Sequence, residues 1–239
     1  MTNATPGTLF VIATPIGNLE DVSFRCVRVL GQLDALACED TRRTRRILER
    51  YDIPAPGTVF SYHEHNERPA ADRILDLLAK GLSVGLCTNA GYPGISDPGY
   101  RAVAGAIERG FRVEVVPGAG AVEVALVASG LPGSTYTFLG FPPRKPGPRK
   151  RLLEAQRDAP HTLILFESPR RTARLLSDAR EVLGDRKAAV CIELTKKFER
   201  VHRGFLSELA GRLQADEVRG EVTVVIAGNN PKFIRPAAD

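Results

Sequence analysis

The chain has 239 residues, 43% of them hydrophobic and 26% charged, with four cysteines and no tryptophan. That is enough apolar material for one large or two medium domains, and it excludes a mainly disordered chain. The formal net charge is +5, and arginine carries it in clusters: RRTRR at 42–46, PRKPGPRKR at 143–151 and PRR at 169–171. Guanidinium forks grip phosphate through paired bonds, so the clusters point to an anionic partner, nucleic acid first; the plainer reading is a set of solvated helix faces.

In chain order, residues 8–13 (TLFVIA) predict a buried strand, and residues 21–33 follow with helical spacing. A short apolar run at 35–38 precedes an Arg-rich helix at 41–51, and an amphipathic helix spans 67–80. Residues 82–87 predict a strand, 98–109 a helix and 112–116 another strand. Such alternation implies a mostly parallel sheet covered on both faces, with ligands at the carboxyl ends of its strands. After the PGAG turn at 117–120 and a small-residue helix at 121–129, the rhythm changes. Strands at 136–139 and 161–166 flank a basic helix, and a helix at 168–183 follows. Then strands at 188–194, 200–205 and 221–227 share one helix, at 206–213, which predicts a mixed sheet with hairpin pairing. The expected architecture is α/β with two domains, 1–117 and 118–239, and a tail that frays after Asn229.

No apolar run is long enough to cross a bilayer, and no basic segment precedes the first apolar run, so neither a membrane anchor nor a signal peptide is expected. Cys26, Cys38, Cys87 and Cys191 form no C-x-x-C pair; buried free thiols in a reducing cytoplasm are expected. The dinucleotide fingerprint and the P-loop are both absent. Instead, two Gly/Pro loops follow strands: TPIGNLED at 14–21 and TNAGYPGISDPG at 88–99. Loops of this kind bring main-chain groups close to a ligand and suit an adenosine or a sulfonium. Glu39, Asp40 and Glu67 stand near strand ends as candidate proton acceptors, and Asp40 also suits a helix N-cap. His63 and His65 are two apart, too few for a metal site.

The strings TPIGNLEDVSFR, CEDTRRT, SYHEHNE, NAGYPGISDPGYR, ALVASGLP, GFPPRKPGPRKRL, LFESPRR and ELTKKFERVHRG together resemble the tetrapyrrole methylase superfamily, in particular its ribosomal RNA small subunit methyltransferase I branch. The resemblance implies two α/β domains with S-adenosylmethionine in the cleft between them, and a homodimer. The implied activity is 2′-O-methylation of a cytidine in the decoding region of 16S ribosomal RNA, free or in the assembled 30S subunit. It also implies cofactor-lining roles for Pro15, Asn89, Ala90, Gly91, Pro93, Ile95, Ser96, Ala121, Val122, Phe166 and Ala227. Asp40 is the candidate catalytic base. The basic set Arg42, Arg43, Arg144, Lys145, Arg149, Lys150, Arg151 and Arg170 forms a phosphate-tracking rim; no metal is implied. The chain departs from the family pattern at Asn89 (usually Asp), Tyr92 (usually Thr) and Arg170 (usually His), and in the turn at 117–121. Two other readings are a small-molecule tetrapyrrole methylase and an RNA-binding relative that has lost the cofactor.

Overall fold

The computed structural model describes residues 7–215 and 219–236. The chain divides into two compact units, Met1–Gly120 and Ala121–Asp239. In the first, strands β1 (Thr8–Ile12), β2 (Ala35–Cys38), β3 (Thr58–Ser61), β4 (Val84–Cys87) and β5 (Arg112–Val116) form a sheet in the order β3-β2-β4-β1-β5. Every pair is parallel, with Ile12 beside both Cys87 and Val116, and Cys38 beside both Cys87 and Ser61. The strands therefore end together, and the loops after β1 and β4 leave the carboxyl edge side by side. All four residues of β2 and of β4 are buried, as a central parallel strand requires.

Helices cover both faces. On one, Ile74, Leu75 and Leu78 of α3 (Glu67–Ala79) and Ala102 and Ala106 of α4 (Tyr100–Glu108) pack on Leu9, Val11, Ala35 and Leu86. On the other, Val29 and Leu30 of α1 (Phe24–Leu30) and Ile47 and Leu48 of α2 (Thr41–Arg50) pack on Ile12, Leu36 and Val116. α2 buries Thr44, Ile47 and Leu48 and turns its arginines to water. α1 starts later than its periodicity suggests. Asn18 caps a single 3-10 turn at Leu19–Asp21, and Ser23 caps the helix proper through the Cys26 N–H. β3 is a four-residue edge strand that periodicity does not announce.

The second unit has β6 (Tyr136–Phe138), β7 (Thr162–Glu167), β8 (Lys187–Ile192), β9 (Arg200–Phe205) and β10 (Val222–Ile226) in the order β6-β7-β10-β8-β9. Only β6 and β7 are parallel; the remaining pairs are antiparallel, so the sheet is mixed. Helices α6 (Pro146–Glu154), α7 (Pro169–Leu183) and α8 (Leu206–Ala215) bury Leu153, Leu175, Leu176 and Leu209 on one face. On the other, α5 (Ala121–Ser129) lies near enough that the Cys191 thiol reaches the Ala125 carbonyl. Arg186 is 1% exposed. Its guanidinium donates to the carbonyls of Leu183, Ala227 and Arg157, closing the end of α7. The tail past Asn229 is tied down as far as it is described: Asn230 caps a 3-10 turn at Pro231–Phe233, and Ile234 bridges to Arg186. All four cysteines are buried and free.

Candidate functional site

The carboxyl edge of the first sheet is closed by loops that hydrogen-bond to one another. Thr14 and Gly91 exchange two backbone bonds of 3.0 Å, joining the loop after β1 to the loop after β4. Thr14 Oγ1 donates to the Thr88 carbonyl at 3.1 Å. The Asn89 N–H donates to Glu39 Oε2 at 3.0 Å, which ties in the loop after β2. Tyr92 Oη accepts from the Gly118 N–H at 3.1 Å and donates to the Gly118 carbonyl at 3.3 Å, which ties in the loop after β5. Glu67 Oε1 accepts from the Gly99 N–H at 3.2 Å and the Tyr62 hydroxyl, so the far end of the loop is held from α3.

This network requires its glycine at 91. The φ there is +77°, which an L side chain adopts at a cost of about 1–2 kcal/mol, and a Cβ would lie 3.6 Å from Ile16 and 3.9 Å from the Ala119 carbonyl. Pro15 and Pro93 are buried beside this crossing, Ala90 is half-buried, and Ile95 and Ser96 are exposed at the tip. Of the expected cofactor-lining residues, Pro15, Asn89, Ala90, Gly91 and Pro93 are thus gathered at one sheet edge. Asn89 Oδ1 is buried and has no hydrogen-bond partner. A buried acceptor left unmade costs about 1–3 kcal/mol, so the loop offers a place for an N–H or O–H donor.

Asp40 has a different position from the one expected of a base. It is the N-cap of α2, its carboxylate accepting from the Arg42 N–H at 2.9 Å. It also pairs with the Arg42 guanidinium, whose Nε and Nη2 lie 3.1 and 2.9 Å away. The side-chain bonds from Arg42, with the backbone bond second, lower its pKa to about 2. A carboxylate so stabilised is a poor proton acceptor, and Asp40 acts here as cap and ion-pair partner. His63 and His65 meet edge to face with ring centroids 5.9 Å apart. Among the described residues no cluster of three or more His, Cys, Asp or Glu could hold a metal.

In the second unit, Val122 is buried and Ala121 half-buried at the start of α5. The Phe166 ring stacks edge-on against Phe138 and Phe141, with centroids 4.8 and 5.5 Å apart. Ala227 is fully buried, and its N–H donates to the Lys187 carbonyl.

The basic segment needs a correction. Arg149 is 2% exposed and cannot reach solvent phosphate. Its Nε donates to Asp178 Oδ2 at 2.7 Å, and its Nη1 donates to the Arg144 carbonyl at 2.9 Å. It is the pin that holds the Pro-rich loop to α7. Lys150 is half-buried and already paired, with its Nζ 2.6 Å from the exposed Glu181 carboxylate. Arg43, Arg144, Lys145, Arg151 and Arg170 are exposed, and Arg42 is exposed although paired with Asp40. Sequence reading missed the roles of Arg149, Arg186 and Tyr92; Asp178, the one charged residue on the buried face of α7, is the hint of a buried ion pair.

Residues 8–210 match the model of the tetrapyrrole (corrin/porphyrin) methylases. A ribosomal RNA small subunit methyltransferase I from Mesorhizobium japonicum is 46% identical over 231 residues, covering 96% of this chain and 78% of the relative. One from Thermotoga maritima is 39% identical over 222 residues, covering 93% and 99%. Among solved structures, uroporphyrin III C-methyl transferase from Thermus thermophilus superposes with a TM-score of 0.64 at 20% identity, covering 92% of this chain and 97% of that one. Diphthine synthase superposes with a TM-score of 0.66 at 17% identity, covering 92% and 90%. At those identities the structural likeness speaks to the fold alone.

Proposed function

The chain belongs to the tetrapyrrole methylase family, within its ribosomal RNA small subunit methyltransferase I branch, and S-adenosylmethionine is the methyl donor of that family; from this membership we propose that the chain methylates the ribose 2′-oxygen of a cytidine in the decoding region of small-subunit ribosomal RNA. The observation that carries the reading is 46% identity, sustained over 96% of the chain, to a relative named for methylation of that RNA. We further read the protein as a cytoplasmic homodimer, which light scattering checks. No helix among the described residues is long and apolar enough to cross a membrane.

The residues fit the donor. The unpartnered, buried Asn89 Oδ1 suits the ammonium or a hydroxyl of S-adenosylmethionine, and Gly91 adds no side chain beside it. Replacement of the family's Asp by Asn89 keeps an acceptor oxygen there. Tyr92 replaces Thr without filling the crossing, because its hydroxyl is engaged by Gly118. These two points favour a cofactor-binding enzyme over a relative that has lost the cofactor.

When bound, S-adenosylmethionine supplies a methyl on a cationic sulfur, activated for in-line attack by oxygen. The chain's own contribution is position. Thr14, Asn89 and Gly91 hold the donor through a network fastened at four loops, and proximity of this kind supplies several kcal/mol of barrier lowering, on the order of 7 or more in well-oriented systems. Arg43, Arg144, Lys145, Arg151 and Arg170 neutralise phosphates and set the register of the RNA, and base identity must be read elsewhere. The test is methyl transfer from labelled donor to small ribosomal subunits lacking the modification, with the modified ribose mapped by mass spectrometry. Label on one cytidine 2′-oxygen is expected. Label only on a porphyrinoid acceptor would establish the small-molecule methylase instead.

A further inference from the structure

The turn between β8 and β9 in the second unit presents a feature that the basic rim does not include. A pocket of about 640 Å³ opens there, lined in part by Lys197, Phe198, Arg200 and Arg219. Phe198 is 72% exposed, unusual for a ring of its size, and Lys197 Nζ lies 5.6 Å from the ring centroid.

The turn is built to hold this arrangement. Glu193 and Thr195 have φ of 52° and 64°, two non-glycine residues in the left-handed region within three positions. The Glu193 N–H donates to the Glu221 carbonyl at 2.9 Å, and Glu193 Oε1 accepts from the Glu221 N–H at 2.8 Å. Lys196 Nζ bridges Glu193 and Glu221 at 2.8 and 3.0 Å. Gly220 accommodates the Glu193 side chain: a Cβ there would lie 2.3 Å from the Glu193 carboxyl. The turn is thus strapped to the residue preceding β10.

The charge balance favours an anion. Two carboxylates line the pocket, and both are occupied by protein donors. Glu193 is engaged as above, and Glu199 Oε2 accepts from the Thr195 N–H at 2.5 Å. Lys197 and Arg200 pair with no carboxylate among the described residues. An exposed aromatic face beside unpaired cations is the composition that single-stranded nucleic acid selects: the base stacks on the ring and the flanking phosphates meet the cations.

We propose that this pocket seats a nucleotide of single-stranded RNA, its base stacked on Phe198 and its phosphates held by Lys197 and Arg200. The inference rests on the ribosomal RNA reading and extends it, giving the enzyme a contact outside the 143–151 segment.

The test uses the full chain, its Phe198→Ala and Phe198→Trp variants, and a Lys197→Ala/Arg200→Ala double variant. Affinity is measured for small ribosomal subunits and for a short single-stranded oligouridine, across a salt series, with S-adenosylmethionine affinity measured in parallel. Phe198→Ala should weaken both RNA ligands about tenfold, within the range for one lost base stack, and Phe198→Trp should restore them. The double variant should flatten the log–log salt dependence by about 1.4, the expectation for two single-strand phosphate contacts. Donor affinity should be unchanged throughout, which separates a local loss from misfolding. If wild-type protein binds and methylates subunits while all variants match it, the pocket is not an RNA site and the proposed function stands. Loss for subunits but not for oligouridine would assign the pocket to a ribosomal protein and overturn the proposal. If wild-type protein neither binds nor methylates subunits, both readings fall.

Discussion

The Pro/Gly-rich loop at 88–99 and the 143–151 segment, which runs into α6 at Pro146, are held still by different means. The first is fixed mostly through main chain: Gly91 exchanges backbone bonds with Thr14 and Asn89 donates its N–H to Glu39, while one side chain, the Tyr92 hydroxyl, accepts from the Gly118 N–H and donates to the Gly118 carbonyl. The second is fixed through a single buried guanidinium, Arg149, which grips Asp178 on α7 and the Arg144 carbonyl of its own loop. The difference follows from what each must present. A crossing that must leave room for a ligand cannot be filled with side chains. A loop that offers arginines to phosphate can spend one of them as an anchor. The same contrast separates the arginines of α2, which face water, from Arg149 on α6, although the two clusters look alike in sequence.

The largest expected effect tests the anchor. Arg149→Ala leaves the buried Asp178 with only Lys150, 4.0 Å away, so urea unfolding should show a loss of about 3 kcal/mol, whereas Arg43→Ala on α2 should stay within about 0.5 kcal/mol. Equal effects would erase the distinction. Next, Gly91→Ala forces an L side chain to a φ of +77°; at about 1–2 kcal/mol it should weaken S-adenosylmethionine binding about tenfold by calorimetry. Arg144→Ala with Arg151→Ala should leave the melting temperature unchanged and flatten the salt dependence of RNA binding by about 1.4 in log–log slope. Tyr92→Phe removes only the hydroxyl shared with Gly118, worth about 1 kcal/mol, and should raise the KM for the donor a few-fold with little change in kcat. The smallest effect is on pH. With its folded pKa lowered to about 2 from an unfolded value of about 3.9, Asp40 contributes stability above the higher value and loses it as pH falls towards the lower. Asp40→Asn should therefore flatten the acid limb of a stability profile below about pH 4 and leave the neutral region level.

Much of this was legible in the residues. Apolar runs with β-branched residues marked β1, β4, β7 and β10, and the change of rhythm after residue 120 marked the mixed second sheet. β3 escaped notice because a four-residue edge strand, TVFS, carries no full alternation. The helix read over 21–33 from its spacing begins only at Phe24, because Asn18 caps a separate 3-10 turn at Leu19–Asp21 and Ser23 then caps α1. Chemistry was harder to read than topology. Charge in a sequence says nothing of direction, so Arg149 looks like its exposed neighbours. Whether Asp40 caps or accepts a proton depends on where the Arg42 side chain lies. The role of Tyr92 depends on Gly118, 26 positions away, and no local pattern reports such a pairing.

The most direct measurement is a calorimetric titration of the purified chain with S-adenosylmethionine, run beside Gly91→Ala. One saturable site, about tenfold weaker in the variant, is the result expected of a donor clasped by main chain at the β1–β4 crossing. Absence of heat in the wild type, or equal affinity in the two proteins, would contradict it.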